Sequence, residues 1–386
     1  MTIDPDLLPA PPMGFNTWNR FGVHINERLI EETMEALVGS GLAELGYTYL
    51  NLDDGWMAPE RDRRGRLVPD PVRFPGGIAR LAERAHAVGL RLGIYSDSGH
   101  KTCQGLPASY GHEREDAETF AGWGVDYLKY DWCHVPFEDF PGRSHRYVAE
   151  TLYGRMSDAL SATGHPIVFS MCNWGDGEPW LWARGVAHLW RTTRDILDAY
   201  RKPDSRWSLD MLTIFRENVV LADHAAPGGF NDPDMLEIGN GHMTATEYRT
   251  HMSLWCLMAA PLLIGCDLRT MSAETRAILG QRDLIAIDQD ALGRQARLAR
   301  REGELYTLVK PLQDGGAAVG LFNAGDVAME VRLSWSELLG DGPRRAREIW
   351  ADADARERMV QGQESLTVAA HATRVWRVAP QGAAMR

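Results

Sequence analysis

The first three quarters of the chain alternate. Short runs of apolar, β-branched or aromatic residues are followed by longer stretches in which Ala, Leu, Glu and Arg recur at helical spacing. The short runs predict strands over residues 14–18, 47–52, 91–96, 125–130, 166–172, 186–191, 228–231 and 261–265. Helical patterns over 27–45, 78–88, 113–123, 144–163, 210–221 and 246–258 lie between them. Repeated strand–helix units predict a parallel sheet, and eight of them predict closure into a (β/α)8 TIM barrel. A doubly wound open sheet is the rival. Its usual glycine-rich phosphate turn after the first strand does not occur in this sequence.

The pattern changes near Gln295. Short strand-like runs at 305–309, 317–322, 329–333, 347–350, 365–368 and 373–378 are punctuated by turns such as Asp314-Gly-Gly and Asp341-Gly-Pro. They predict an antiparallel β-sandwich domain over 295–386, following a catalytic barrel over 1–294.

Acids fall where the predicted strands end. The ends read Asn51-Leu-Asp53-Asp54-Gly-Trp56, Tyr95-Ser-Asp97, Lys129-Tyr-Asp131, Cys172-Asn173-Trp174, Arg191-Thr-Thr-Arg-Asp195 and Asn231-Asp232-Pro-Asp234. Active sites of (β/α)8 barrels sit at this face. A carboxylate buried without partners is costly, so the series calls for a reason. Any one of these acids could cap the following helix, but helix caps do not explain them all. Glycosidic cleavage does: one carboxylate attacks the anomeric carbon, and a second, protonated, assists departure of the leaving oxygen. Carboxylates also grip sugar hydroxyls. Clustered Asp suits Mg²⁺ or Ca²⁺ as well. Here, however, the acids stand on separate strands, interleaved with Trp and Lys, so neither metal nor cofactor is expected.

Composition narrows the partners. The 386 residues carry a formal charge of −12, which argues against nucleic acid or an anionic membrane as partner. No apolar run is long enough to span a membrane. Residues 1–12 lack the basic and apolar regions of a secretory signal, so a cytoplasmic location is the default expectation. Five cysteines show no metal-type spacing and read as buried thiols. Thirteen Trp and eleven Tyr offer faces for sugar stacking, and equally for core packing.

These strand ends bring a resemblance. Pro11-Pro-Met-Gly-Phe-Asn-Thr-Trp-Asn19, Tyr49-Leu-Asn-Leu-Asp-Asp-Gly-Trp-Met57, Leu92-Gly-Ile-Tyr-Ser-Asp97, Lys101-Thr-Cys103, Trp123-Gly-Val-Asp-Tyr-Leu-Lys-Tyr-Asp131, Trp190-Arg-Thr-Thr-Arg-Asp-Ile196 and Pro227-Gly-Gly-Phe-Asn-Asp-Pro-Asp-Met-Leu236 occur in order. With Ala260-Pro-Leu-Leu-Ile-Gly-Cys-Asp-Leu268 and Ile285-Ala-Ile-Asp-Gln-Asp290, they span residues 11 to 297. The chain resembles glycoside hydrolase family 27, the α-galactosidases and α-N-acetylgalactosaminidases. The resemblance implies a retaining exo-glycosidase acting on a galactose-containing carbohydrate. Asp131 would be the nucleophile and Asp195 the acid/base, with carboxyls about 5–5.5 Å apart. Lys129, on the same strand face as Asp131, would bind the sugar and help keep Asp131 ionised. The pKa of Asp195 should then stand above that of Asp131. Asp53 and Asp54 would hold the 4- and 6-hydroxyls, and Trp18 would wall the sugar. Tyr95, Cys103, Asn173, Trp174, Arg191 and Asp234 would complete the pocket.

Bland readings accompany these. Trp56 and Tyr95 could be core, Asp234 a helix cap, Lys129 a partner of Asp126 or Asp131, and Asp97 structural. Three points of comparison with the family matter. Asn173 replaces a usual Glu where the sugar 2-position is read. Val23 and Gly55 stand at the positions of an absent disulfide. Cys103 and Cys133 match a second common pair, as a disulfide or, in a reducing compartment, as two thiols. The same mechanism on α-N-acetylgalactosaminides or β-L-arabinopyranosides is the alternative. A non-catalytic sugar-binding protein on this scaffold is the reading from another class.

Overall fold

The computed structural model describes residues 3–202, 205–351 and 357–383. Eight parallel strands form one sheet: β1 (Met13–Asn16), β2 (Tyr49–Asn51), β3 (Arg91–Asp97), β4 (Tyr127–Asp131), β5 (Val168–Cys172), β6 (Leu189–Arg191), β7 (Phe230–Asp232) and β8 (Leu262–Ile264). Their order is β8-β1-β2-β3-β4-β5-β6-β7. A parallel bridge between Leu236, just beyond β7, and Ile264 closes the seam. There the Leu236 amide donates to the Leu263 carbonyl at 2.8 Å, and the Gly265 amide to the Leu236 carbonyl at 2.9 Å. The sheet is therefore a closed barrel, and its strands are buried on both faces, as parallel strands under helices must be.

Helix boundaries follow local chemistry. Asn26 caps the helix Glu27–Gly39 by accepting from the Leu29 amide. The periodicity predicted one helix over 27–45, but Gly39-Ser40-Gly41 interrupts it, with Gly41 at φ +78°. Residues Ala43–Leu45 form only a 3-10 turn. Ser144, Asp210 and Thr244 cap later helices in the same way, Thr244 through a reciprocal box with Glu247. The pattern over 210–221 likewise divides into helix Met211–Asn218 and 3-10 turn Val219–His224.

After helix Arg282–Asp288 the chain becomes antiparallel. Strands β9 (Arg297–Glu302), β10 (Leu305–Pro311), β11 (Ala317–Asn323), β12 (Met329–Ser334), β13 (Arg344–Glu348), β14 (Glu357–Val360), β15 (Gln363–Val368) and β16 (Thr373–Val378) make a six-stranded sheet, β9-β10-β11-β16-β13-β14, and a paired β12–β15 ribbon. Residues including Val319, Leu333, Trp335, Val368 and Trp376 form the core of this β-sandwich.

The two modules pack through helix Ala245–Leu257. Thr250 Oγ1 donates to the His371 carbonyl at 2.7 Å and Trp350 Nε1 to Ser253 Oγ at 2.9 Å. A Cβ on Gly320 of β11 would meet Leu257 Cδ1 at 2.4 Å, so only glycine allows this close approach without the leucine moving.

Candidate active site

The C-terminal ends of β1 to β7 place a polar cluster at one mouth of the barrel. Asp131 closes β4 and is 6% exposed. Tyr95 of β3 donates its hydroxyl to Asp131 Oδ2 at 2.9 Å, and the Trp132 amide donates to Oδ1 at 2.9 Å. One oxygen is thus oriented by a side chain and the other by backbone. Tyr95 is therefore more than barrel packing.

Lys129 points to the same cluster, but its ammonium pairs with Asp53 Oδ2 at 2.7 Å. Neither Asp126 nor Asp131 is its hydrogen-bond partner. Asn16, at the end of β1, also donates to that Asp53 oxygen, at 2.9 Å, and the Asp54 amide donates to Asp53 Oδ1. Asp54 is held differently. Its Oδ2 accepts from the Gln104 amide at 3.0 Å, while its buried Oδ1 has no partner among the described residues. Of the pair, Asp54 has the unpartnered oxygen, and Asp53 is largely committed to the protein.

Arg191, ending β6, is buried and forks between two acids. Its Nη2 lies 3.1 Å from Asp195 Oδ1 and 3.0 Å from Asp234 Oδ2. Asp234 also accepts from the Ile196 amide at 2.7 Å and has φ +77°. It is a turn residue that anchors the Asp195 segment, not a helix cap. The Asp195 side chain is 41% exposed, so water reaches it while Asp131 is shielded.

Cys103 is disulfide-bonded to Cys133, and its Sγ lies 3.6 Å from Asp131 Oδ2. Asn173 is fully buried. Its Nδ2 donates to the Asp176 carbonyl at 2.5 Å, and its Oδ1 has no partner among the described residues. The amide therefore presents an acceptor, as a carboxylate would. Trp18 and Trp174 are half-buried; Trp174 packs on the hydrophobic core at φ +55°. Among the described residues no hydrogen bond joins either indole to the carboxylates. Trp56 is core: its Nε1 donates to the Tyr95 carbonyl and its ring meets Trp123 edge-on. Asp97 accepts from the Gly99 and Cys133 amides and is structural.

The charges here are strongly biased. Burial pushes Asp131 up to about 6, against the pull of the Lys129 ammonium, with Asp195 and Asp53 adding to the rise. Lys129 does pull Asp131 down, as expected of a nearby cation, but desolvation outweighs it, and the ammonium itself is hydrogen-bonded to Asp53. Burial likewise pushes Asp54 and Asp232 up to about 6, the latter against Arg191. Lys129 stands well above its ordinary value because the carboxylates, Asp53 first, more than offset its own burial.

If Asp131 must be ionised to act, the acid limb of kcat/KM will centre near pH 6 and belong jointly to Asp131, Asp54 and Asp232. A pH profile checks this; a limb centred near 4 would show that the bound-free site does not carry these shifts.

Several contributors were not singled out from sequence. Asn16 sits inside the quoted Gly-Phe-Asn-Thr-Trp stretch, at a strand end, and that position was the available signal. Asp232 had the same signal. Glu237 did not: it lies past β7 and binds Asn19, distant in sequence, and Asn240. Burial pushes it up to about 8.

A family model described as "Alpha galactosidase A" matches residues 10–290, and one described as "Alpha galactosidase C-terminal beta sandwich domain" matches 302–378. An alpha-galactosidase of Cyamopsis tetragonoloba is 43% identical over 375 residues, covering 96% of this chain and 87% of that protein. Alpha-galactosidase A of Cellvibrio japonicus is 46% identical over 333 residues, covering 86% and 80%. The crystal structure of alpha-galactosidase I from Mortierella vinacea superposes with TM-score 0.92 at 32% identity, over 99% of this chain and all of that one.

Proposed function

The chain belongs to the α-galactosidase family, glycoside hydrolase family 27, and hydrolyses α-galactosides; we propose that it does so by double displacement, with Asp131 as nucleophile and Asp195 as acid/base. An Asp131 oxygen attacks the anomeric carbon as the bond to the leaving oxygen breaks, and Asp195 gives that oxygen a proton. Asp195 then takes a proton from water, which attacks the same carbon and displaces Asp131. Two inversions leave galactose in the α configuration.

The observation that carries this is the unequal setting of two carboxyls at one barrel mouth. Asp131 is shielded and aligned by Tyr95 and the Trp132 amide. Asp195 is open to solvent and held by Arg191. The attacking group is thus fixed and dry, and the group that must meet both leaving oxygen and water is accessible. Asp54 Oδ1 and Asn173 Oδ1, buried without partners, would accept from sugar hydroxyls, Asn173 from the 2-hydroxyl. Asn173 then does the work of the family's usual Glu without its charge.

Hydrolysis of matched p-nitrophenyl glycosides tests the assignment. The α-D-galactoside should exceed the α-D-N-acetylgalactosaminide, β-L-arabinopyranoside and α-D-glucoside by about tenfold or more in kcat/KM, about 1.4 kcal/mol. A different leader would overturn the reading of the 2- or 6-position.

The Cys103–Cys133 bond also bears on where the chain works. Such bonds persist in oxidising surroundings, which favours a compartment of that kind over the cytoplasmic default. Protein isolated from its own host without reductant should titrate three thiols per unfolded chain, for Cys172, Cys256 and Cys266. Five would mean that the pair is kept reduced in the cell.

A further inference from the structure

Glu237 carries a carboxyl that the reaction as described does not use. It stands one residue past Leu236, which closes the barrel seam, and is buried. A carboxyl in such a place is unfavourable unless its oxygens are engaged, and both of them are.

The residue is fixed from three sides. Its backbone amide donates to His251 Nε2 at 3.1 Å, which ties it to helix Ala245–Leu257. Its Oε2 accepts from Asn240 Nδ2, and the same nitrogen reaches the Gly265 carbonyl, just past β8, at 3.3 Å. Its Oε1 accepts from Asn19 Nδ2. Asn19 also lies close against β8: a Cβ on Gly265 would meet Asn19 Cβ at 3.1 Å.

Asn19 follows Trp18 in the single-turn helix Trp18–Phe21, whose N-cap residue makes no side-chain capping bond. On the entry side the Trp18 amide donates to Asn16 Oδ1 at 2.8 Å, and Asn16 in turn holds Asp53. Among the described residues, the side chains of this turn make one hydrogen bond, from Asn19 to Glu237. The Trp18 indole makes none, so the ring stands where the turn puts it.

We propose that Glu237 is a positioning residue for the sugar pocket: through Asn19 it holds the Trp18 turn against the end of β8 and so sets the wall beside the galactose ring. The proposal rests on the α-galactosidase reading, with Trp18 facing the sugar. Glu237 acts through Asn19 and takes no part in breaking the bond. A wall held in place before binding lowers the ordering cost of seating the sugar.

The test reads variants with p-nitrophenyl α-galactoside as substrate and galactose as competing ligand. Asn19→Ala changes a half-buried turn residue and leaves the backbone contacts of Glu237 in place. It should raise KM and the Ki of galactose together by about fivefold to tenfold, with kcat kept within about twofold, because the wall serves ground state and transition state alike. Glu237→Ala should do the same, and the two changes together should do no more than the larger one, as befits a single shared contact. Glu237→Gln keeps an acceptor for Asn19 and should stay within about twofold of the wild type. The deciding comparison is made in Trp18→Ala, where adding Asn19→Ala should raise KM by less than about twofold. A bond that only stabilises the barrel would lower the melting temperature and leave KM alone. Unchanged KM in Asn19→Ala, or the same rise with and without Trp18, would overturn the proposal. If the wild type leaves p-nitrophenyl α-galactoside intact, the reaction reading fails instead, and the calorimetric Kd of galactose takes the place of KM. Weakening by Asn19→Ala that disappears in Trp18→Ala then supports the proposal, and no weakening, or no binding by the wild type, overturns it.

Discussion

Asp131→Asn should abolish turnover while leaving the fold intact or firmer. Activity should fall by roughly 10⁴-fold or more, because an amide cannot form the covalent intermediate. Stability should move the other way. The native carboxyl is pushed up to about 6 by burial, above the unfolded value of about 3.9. A carboxyl with a raised native pKa holds its proton more tightly when folded, so stability falls as pH rises from about 4 to 6 and stays lower above that. Asn carries no such penalty. At pH 8 the variant should therefore be more stable by on the order of 2 kcal/mol, and the gain should vanish near pH 4. Denaturant melts at the two pH values check this. A variant that is inactive and destabilised at pH 8 would mean that the Tyr95 and Trp132 contacts matter more than desolvation. A sugar-binding protein without catalysis would show no activity to lose.

Asp195→Ala should discriminate between leaving groups. On an oligosaccharide galactoside the departing alkoxide needs a proton, so the loss should be about 10²–10⁴-fold. On 2,4-dinitrophenyl α-galactoside the leaving group departs unaided, and the first displacement should be nearly spared. Return of water should then limit the rate, because its general base is gone. Azide, which needs no base, should restore turnover and yield α-galactosyl azide, the product of two inversions. Equal losses on both substrates with no azide rescue would remove Asp195 from the acid/base role and leave it as a partner of Arg191.

Much of this was legible in the chain because the barrel writes its chemistry at strand ends. The strands are buried on both faces and read as apolar runs, so an acid at their end stands out. Asp131, Asp53, Asp54 and Asp234 were visible for that reason. Their pairings were not. Lys129 reaches across the barrel to Asp53 because curvature of the closed sheet brings them together, and strand spacing alone offered Asp126 and Asp131. In the β-sandwich, β9 and β14 were missed: Arg297–Glu302 is almost wholly exposed, and Glu357–Val360 buries only Val360 fully, so neither shows an apolar alternation. Helices Ala273–Leu279 and Arg282–Asp288, at seven residues each, are too short to establish a period. The contact between Asn19 and Glu237 was invisible because it joins residues 218 positions apart.

The most direct test is to trap the covalent intermediate. 5-Fluoro-α-D-galactosyl fluoride carries a good leaving group and a ring fluorine that slows breakdown of a galactosyl ester. Incubated with the protein, quenched in acid and mapped by mass spectrometry, it should add one fluorogalactosyl unit to the peptide containing Asp131, and none to Asp131→Asn. Steady turnover of the reagent with no adduct, or an adduct on another carboxylate, would contradict a double displacement through Asp131.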